Sequence, residues 1–318
     1  MYELVIIGGG PAGAAAGVYA ARKRVKSLLI TEGWGGQSEV SPDVQNWIGI
    51  KSISGIDLAQ KIEEHVKAYA GDVLEFDEGS RVVEVKELVL ASGSGGPKFT
   101  LVTNKGKKYE TRSILVASGG RRRKLSVPGA ETYDGKGIVY CATCDAPLFQ
   151  GKEVVVIGGG NAGFESAQQL ISYATKITLL EYAEEFRGDS VTREAVLKSK
   201  KVTPITNAES VEVKGEKFVT ALVWKDRKTG ETHELPVQGV FVEIGSIPNT
   251  EFLKGLVELN KYGEIILDHK TARTSREGIW AAGDATDQPY KQNNISMGDA
   301  VKALEDIYLW LQKKKSTT

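Results

Sequence analysis

The chain carries the sequence ELVIIGGGPAG at residues 3–13 and repeats it, as EVVVIGGGNAG, at residues 153–163. Each copy reads as an apolar strand, a glycine turn and the start of a helix. A second apolar segment follows each copy and ends on an acid, 24 residues from the first glycine at Glu32 (32 minus 8) and 23 residues at Glu181 (181 minus 158). Dinucleotide-binding βαβ units place such an acid ~20 residues on. Two copies in register therefore predict two dinucleotide-binding domains.

Three positions of each copy favour glycine for different reasons. The first permits the sharp turn, the second lets the backbone approach a pyrophosphate, and the third allows the helix to pack closely on the sheet. These positions are Gly8, Gly10 and Gly13 in the first copy and Gly158, Gly160 and Gly163 in the second. We expect the pyrophosphate at the helix N-terminus, where Pro11 and Ala12 or Asn161 and Ala162 also lie.

The repeat predicts an α/β fold of two Rossmann-like domains, of the three-layer ββα type, with the second inserted into the first. A β-rich stretch at 81–116 follows the first unit, and a matching stretch at 219–242 follows the second. A strand at 278–284 and a helix at 295–312 return to complete the first domain. The predicted boundaries are 1–118 with 247–318 for the first domain and 119–246 for the second, with glycines at both junctions.

Composition excludes some partner classes. Lys plus Arg and Asp plus Glu both number 41 among 318 residues, so no bulk charge attracts nucleic acid or a membrane surface. No segment approaches the ~20 apolar residues of a membrane span. The first apolar segment runs directly into glycines without a signal-peptide pattern. We therefore expect a cytoplasmic protein.

The only two cysteines, Cys141 and Cys144, form a Cys-x-x-Cys pair. Two sulfurs at this spacing can alternate between dithiol and disulfide. A zinc site would need two further Cys or His ligands with partner spacing, which the sequence lacks, and a structural disulfide across so short a loop would remove little chain entropy. The pair indicates redox chemistry and no metal.

Motifs along essentially the whole chain resemble those of low-molecular-weight thioredoxin reductases, and of the reductase portion of the flavoprotein subunit of bacterial alkyl hydroperoxide reductase. The matching pieces are the two glycine motifs, GGQ at 35–37, NWIG at 46–49, VASG at 116–119, CATCD at 141–145, GSIPNT at 245–250, AAGD at 281–284 and KQ at 291–292. The resemblance implies FAD in the first domain, a nicotinamide dinucleotide in the second, and a homodimer.

The same resemblance implies individual roles. Glu32 would bind the FAD ribose, Gln37 and Asn46 would contact the flavin region, Asp284 would bond the ribityl-phosphate region, and Gln292 would lie near the isoalloxazine ring. Further cofactor-binding positions are Gly36, Gly119, Gly245, Gly283 and Lys291. Two residues depart from the family pattern, Ser118 in place of threonine and Ala146 in place of glycine. Neither change removes a charge or a nucleophile, so we expect them to adjust the properties of the site and not its chemistry.

For the redox pair we expect Cys144 to be the sulfur nearest the flavin and Cys141 to attack the partner's disulfide. Asp145 is either a proton shuttle or an N-cap of the following segment, and the two roles are compatible. The pair lies 17 residues before the second glycine motif (158 minus 141), so it belongs to the nicotinamide domain. The resemblance implies that this domain rotates about hinges near 120 and 245, so that the nicotinamide and the cysteines take turns at the flavin.

The loop EYAEEFR at 181–187 bears on the choice of nicotinamide dinucleotide. Thioredoxin reductases usually place a His-Arg-Arg cluster there, which suits the 2′-phosphate of NADPH. Here three carboxylates precede the first cation, and a carboxylate at 181 accepts ribose hydroxyls but repels a phosphate. The sequence therefore predicts NADH rather than NADPH.

The expected acceptor is a separate thioredoxin- or glutaredoxin-like protein, because the chain begins directly with the FAD strand. The basic run at 121–124 is either a docking site for an acidic partner or a solvated loop. Two alternatives stay open: an NADH oxidase or peroxide-defence reductase that passes electrons to oxygen, quinones or a peroxiredoxin system, and a non-catalytic sensor that signals through the cysteine pair.

Overall fold

The computed structural model describes residues 1–41, 44, 46–88, 97–140 and 142–316. The chain divides into two compact units, Met1–Arg121 with Ile247–Thr318 and Arg122–Ser246. The division thus falls three residues after the predicted boundary at 118. The reason is that residues 117–121 stay bonded to the first unit: the Ser118 hydroxyl donates to the Asn249 carbonyl at 2.7 Å, and Arg121 pairs with Glu251 at 2.5 Å.

The described residues form seventeen strands and six α-helices. The strands are β1 (Tyr2–Gly9), β2 (Ser27–Trp34), β3 (Leu74–Glu78), β4 (Val82–Leu88), β5 (Lys98–Thr103), β6 (Lys108–Val116), β7 (Gly120–Arg122), β8 (Ile138–Val139), β9 (Glu153–Ile157), β10 (Lys176–Leu180), β11 (Val202–Ile205), β12 (Ala208–Gly215), β13 (Val219–Asp226), β14 (Thr232–Pro236), β15 (Gly239–Val242), β16 (Ser246–Pro248) and β17 (Ile279–Ala281). The helices are α1 (Pro11–Arg22), α2 (Gly55–Ala70), α3 (Ala142–Asp145), α4 (Asn161–Leu170), α5 (Ser190–Leu197) and α6 (Asn293–Ser316). Across this described part of the chain, none of the helices has the length and hydrophobicity that crossing a bilayer requires.

The first unit is built on a seven-stranded sheet of order β3-β2-β1-β6-β5-β4, with β17 also on β6. β1 pairs in parallel with β2 and β6, and β4, β5 and β6 form an antiparallel meander. Leu4 and Ile6 of β1 are fully buried against α1. Alanine and glycine fill most of α1, and these small residues let α2 and α6 pack closely against it.

The second unit repeats the central part of this arrangement. Its sheet is parallel throughout and has the order β11-β10-β9-β15-β8. A separate antiparallel sheet consists of β12, β13 and β14. The order β11-β10-β9 corresponds to β3-β2-β1 of the first unit, as the repeated motif predicts.

Lys201 closes the C-terminal end of α4, and its loss should destabilise the second unit. Its ammonium donates to the carbonyl of Ile171, the C-cap of the helix, at 2.8 Å and to the carbonyl of Ala174, just after the following turn, at 2.9 Å. Carbonyls at the C-terminal end of a helix lack intrahelical partners, so a cation there is stabilising. We expect Lys201→Met to lower stability by about 1–2 kcal/mol and to lower the thermal midpoint measured by circular dichroism. The matched control is Lys200→Met, since Lys200 is exposed. Equal midpoints for both variants would contradict this role.

Candidate functional site

In the glycine turn of the first unit, close backbone contacts require glycine at two of the three motif positions, Gly8 and Gly13. Gly8 has a φ of +115°, and a Cβ atom there would lie 2.2 Å from the carbonyl oxygen of Ala117. A Cβ atom on Gly13 would lie 1.8 Å from the carbonyl oxygen of Gly8. Side chains are therefore excluded by backbone at both positions, because no rotamer change can relieve such a clash.

Gly10 differs, because the protein itself leaves room there. The nearest atom to a Cβ on Gly10, outside its chain neighbours, would be the Cα of Gly36 at 3.7 Å. Gly10 is also the N-cap of α1 and supplies no side-chain cap to the helix amides, and Pro11 follows it. The absence of a side chain at either glycine lets the two backbones approach closely beside the uncapped helix N–H groups, which is the environment that a pyrophosphate needs.

Glu32 lies in β2 with its side chain 60% exposed, so its carboxylate is accessible to ribose hydroxyls. The Arg81 guanidinium is 3.7 Å away. Both side chains are well solvated, so this pair contributes little to stability.

Gly283 and Asp284 form a 3₁₀ turn directly after β17. A Cβ atom on Gly283 would lie 3.4 Å from the Cβ of Ala12, so this turn borders the start of α1 and its pyrophosphate space. Burial raises the pKa of Asp284, and the charge of Lys291 acts in the opposite direction. A buried carboxyl at this place can exchange hydrogen bonds with the ribityl chain of a flavin.

Asn46 and Gln292, 246 positions apart, meet through a 3.0 Å hydrogen bond from the Asn46 amide to the Gln292 side-chain carbonyl. Asn294 donates to the Asn46 backbone carbonyl at 2.7 Å. Gln37 is exposed in the 3₁₀ helix Gly36–Val40. The Lys291 ammonium pairs with Glu264 at 3.0 Å and donates to the Thr286 carbonyl. Lys291 therefore stabilises the segment that follows β17, a role that the sequence did not indicate.

Gly119 and Gly245, the predicted junction glycines, both have positive φ, of +63° and +92°. The Asn249 backbone N–H donates to the Gly119 carbonyl at 2.9 Å. The Arg123 N–H donates to the Gly245 carbonyl at 2.9 Å. Each glycine therefore lies in a conformation that glycine adopts with least strain.

The glycine turn of the second unit follows the same rules as the first. Gly158 has a φ of +120°, and a Cβ there would lie 2.1 Å from the Glu243 carbonyl oxygen. A Cβ on Gly163 would lie 1.8 Å from the Gly158 carbonyl oxygen, whereas a Cβ on Gly160 would meet nothing within 4 Å among the described atoms beyond its neighbours. Gly160 is the uncapped N-cap of α4. This unit therefore has the same space for a pyrophosphate.

Two neighbours of this turn differ in what they face. The Asn161 side chain accepts a 2.8 Å hydrogen bond from the Asp189 N–H and so holds the chain just before α5. Ala162 is exposed at the first turn of α4. Asn161 therefore has a structural hydrogen bond of its own, whereas Ala162 leaves the N-terminal end of α4 accessible to solvent.

Glu181 is fixed at the end of β10 by two backbone amides. The Gly159 N–H donates to one carboxylate oxygen at 2.6 Å, and the Ala183 N–H donates to the other at 2.7 Å. Each oxygen keeps lone-pair capacity for another donor. The carboxylate is thus held beside the glycine turn with acceptor capacity left.

A second carboxylate at this sheet edge, Glu243, was not expected from the sequence. It follows β15, and its side chain is only 10% exposed. The Ser166 hydroxyl donates to it at 2.6 Å, the Arg122 guanidinium lies 3.9 Å away, and burial raises its pKa. No local sequence pattern signals this pairing, because Ser166 and Glu243 are 77 positions apart.

The redox pair can be described only in part. Cys141 lies outside the described residues, and Cys144 lies in α3, where its backbone alone is described. Asp145 ends α3 at the N-cap position of the 3₁₀ helix Ala146–Phe149, but its side chain makes no capping hydrogen bond. Burial raises the pKa of Asp145, and Arg122 acts in the opposite direction. The Asp145 side chain therefore does not cap this 3₁₀ helix, and its role in proton transfer stays a prediction.

The basic run at 121–124 is largely engaged within each unit. Arg121 bonds Glu251 and the Asn249 side chain in the first unit. Lys124 pairs with Asp134 at 2.5 Å in the second. These ion pairs reduce the charge that the run could offer to an acidic partner.

The chain is similar in sequence to known proteins over most of its length. Residues 2–303 match the family model described as pyridine nucleotide-disulphide oxidoreductase. The F component of alkyl hydroperoxide reductase in Escherichia coli (strain K12) is 41% identical over 99% of this chain and 59% of its own length. A protein named NADH dehydrogenase from Bacillus subtilis (strain 168) is 40% identical over 95% of this chain and 57% of its own length. The chain thus spans a little over half the length of these curated relatives.

Solved structures match over nearly the whole of both chains. Thioredoxin reductase from Lactococcus lactis, in its FR conformation, superposes with a TM-score of 0.84 at 31% identity and covers 98% of this chain and 100% of that one. Thioredoxin reductase from T. acidophilum gives a TM-score of 0.81 at 36% identity, over 97% and 98%. The predicted fold, two Rossmann-like domains with one inserted into the other, is confirmed.

Proposed function

The chain belongs to the pyridine nucleotide-disulphide oxidoreductase family, and on that premise we propose that it carries electrons from NADH to the disulfide of a partner protein through FAD and the Cys141/Cys144 pair. The resemblance to thioredoxin reductases and to the alkyl hydroperoxide reductase flavoprotein is confirmed. The family implies FAD and a nicotinamide dinucleotide as cofactors.

We place FAD in the first unit. Its pyrophosphate space at Gly10 is bordered by the turn of Asp284, and Asn46 and Gln292 supply amide groups that can hydrogen-bond a flavin edge. When bound, FAD accepts a hydride from a dinucleotide and yields electrons to a disulfide. The nicotinamide dinucleotide then belongs to the second unit, whose matching space lies at Gly160.

The cysteines and Asp145 perform the exchange with the partner. The Cys141 thiolate attacks one partner sulfur, forming a mixed disulfide and releasing the other partner sulfur as a thiolate. The Cys144 thiolate then attacks Cys141, which restores the Cys141–Cys144 disulfide and frees the reduced partner. Two electrons and two protons pass to the partner in all, and Asp145, whose pKa is raised by burial, can hold a proton for a leaving thiolate.

The choice of NADH rests on one observation, the fixed carboxylate of Glu181. Its two amide contacts hold a negative charge where the adenosine ribose of a dinucleotide ends. Ribose hydroxyls can donate to that carboxylate, whereas the 2′-phosphate of NADPH would place like charges side by side. The same two contacts prevent the carboxylate from turning away.

We expect kcat/KM for NADH to exceed that for NADPH by at least about tenfold, which is ~1.4 kcal/mol. Glu181→Gln should weaken NADH use and reduce the preference, because it removes the repelling charge. Glu216→Gln, an exposed carboxylate between β12 and β13, is the matched control and should leave the ratio unchanged. Steady-state rates with both dinucleotides measure this, and a preference of the unaltered protein for NADPH would refute the NADH proposal.

The proposed acceptor is a thioredoxin- or glutaredoxin-like protein, and the active form a homodimer. The support is the match to thioredoxin reductases over 97% or more of both chains. A second candidate, transfer of electrons from NADH to oxygen or a quinone, is favoured by the relative named NADH dehydrogenase. The two differ in whether the cysteines are needed.

A further inference from the structure

The turn between β13 and β14 is bound to the loop that follows β10. Arg227 of this turn donates through Nη1 to the Tyr182 carbonyl oxygen at 2.9 Å. Its guanidinium carbon also lies 3.9 Å from the centre of the Tyr182 ring, a close cation–π distance. The Arg227 N–H in turn donates to the Asn207 carbonyl at 2.8 Å. Arg227 therefore fixes both the backbone and the ring of Tyr182.

Every residue from 181 to 184 makes a hydrogen bond or an ion pair with another part of the second unit. The Ala208 N–H donates to the Glu181 carbonyl, and the Asn207 N–H donates to the Ala183 carbonyl, both at 2.9 Å. Lys228 pairs with Glu184 at 2.7 Å. The backbone of residues 181–183 is thus hydrogen-bonded to Asn207, Ala208 and Arg227, which positions Tyr182 directly after Glu181.

Tyr182 remains 55% exposed although a guanidinium covers one side of its ring. More than half of the residue thus stays accessible outside the Arg227 contact. An apolar aromatic face left open beside a ribose acceptor suits a purine, because the base is attached to that ribose and stacks on aromatic rings.

We infer that Tyr182 and Arg227 form an adenine platform in the nicotinamide dinucleotide site, in which Tyr182 stacks on the base and Arg227 is a positioning residue. This inference rests on the proposed function. It also strengthens the selection of NADH, because the two cations of the turn are already engaged: Arg227 with a carbonyl and a ring, and Lys228 with Glu184.

The test is calorimetric titration of the FAD-loaded protein with ADP, which has the adenine and ribose but no nicotinamide. We expect Tyr182→Leu to raise the Kd for ADP about tenfold and Tyr182→Phe to change it less than about twofold, since stacking needs only the ring. Arg227→Ala should weaken ADP binding, and Arg227→Lys should restore part of it. Lys225→Ala removes an exposed cation from the adjoining strand and should have no effect.

Reduced nicotinamide mononucleotide, which lacks adenine, separates a platform from a structural role. For Tyr182→Leu, kcat/KM for NADH divided by that for the mononucleotide should fall about tenfold. An unchanged ADP Kd, or an equal loss with both nucleotides, would overturn the platform while leaving the proposed function intact. If the unaltered protein bound no ADP and NADH did not bleach its flavin, the proposed function would fail as well.

Discussion

Replacing Cys144 by serine is expected to lower the rate of NADH-dependent disulfide reduction by on the order of 10³-fold or more. A hydroxyl cannot form a disulfide, so the mixed disulfide between Cys141 and the partner cannot be resolved. Reduction of ferricyanide by NADH, which needs no dithiol, should remain. The measurement compares both rates, with a thioredoxin-like protein as the disulfide substrate, and checks that the variant keeps its yellow flavin spectrum.

Thr143→Ser, between the two cysteines, is the matched control and should keep both activities. Cys141→Ser should behave as Cys144→Ser does, because the exchange needs both sulfurs. If Cys144→Ser kept its full activity towards its physiological acceptor, electrons would be reaching that acceptor without the cysteines. That outcome would support the oxygen or quinone reaction instead.

The repeated glycine motif allowed the fold to be predicted because its constraints are local. Gly8 and Gly158 have the positive φ that a sharp strand-to-helix turn requires, and Gly13 and Gly163 are excluded from carrying a side chain by the carbonyl five residues earlier. Such requirements act within one turn of chain, so they leave a pattern that the sequence shows directly. Two copies of the pattern were enough to predict two units of one kind.

The contacts that shape the site could not be predicted from the sequence. Tyr182 and Arg227 are 45 positions apart, and Ser166 and Glu243 are 77 apart. Nothing in either local sequence indicates the other member. The first pair depends on how the turn between β13 and β14 packs on the loop after β10, and the second on how α4 packs beside the end of β15. The position of Glu181 was predicted from spacing, but its orientation by Gly159 and Ala183 was not. Asn46 and Gln292 were proposed only through family resemblance, and their hydrogen bond came from the structure.

A reciprocal pair of substitutions tests which unit binds which cofactor. Gly10 and Gly160 are both helix N-caps with extended backbone, at φ −73° and ψ −176° for Gly10 and φ −88° and ψ −172° for Gly160. Alanine is therefore compatible with the backbone at either position, and its methyl group would enter space that the protein leaves open. We expect Gly10→Ala to weaken FAD binding by about 10- to 100-fold, corresponding to ~1–3 kcal/mol of steric conflict. The binding of ADP at the NADH site should persist.

Gly160→Ala should show the opposite pattern, with FAD retained and ADP binding weakened by a similar factor. FAD affinity is measured by reconstitution of the deflavinated protein, and ADP affinity by calorimetry, so neither readout depends on turnover. Gly13→Ala provides the contrast, because its Cβ would lie 1.8 Å from a backbone oxygen and should disrupt the fold itself. Each alanine is confined to one unit, so loss of both cofactors from either N-cap variant, with the protein still folded, would contradict the placement of one dinucleotide in each. Loss of FAD from Gly160→Ala alone would show that the two sites had been interchanged.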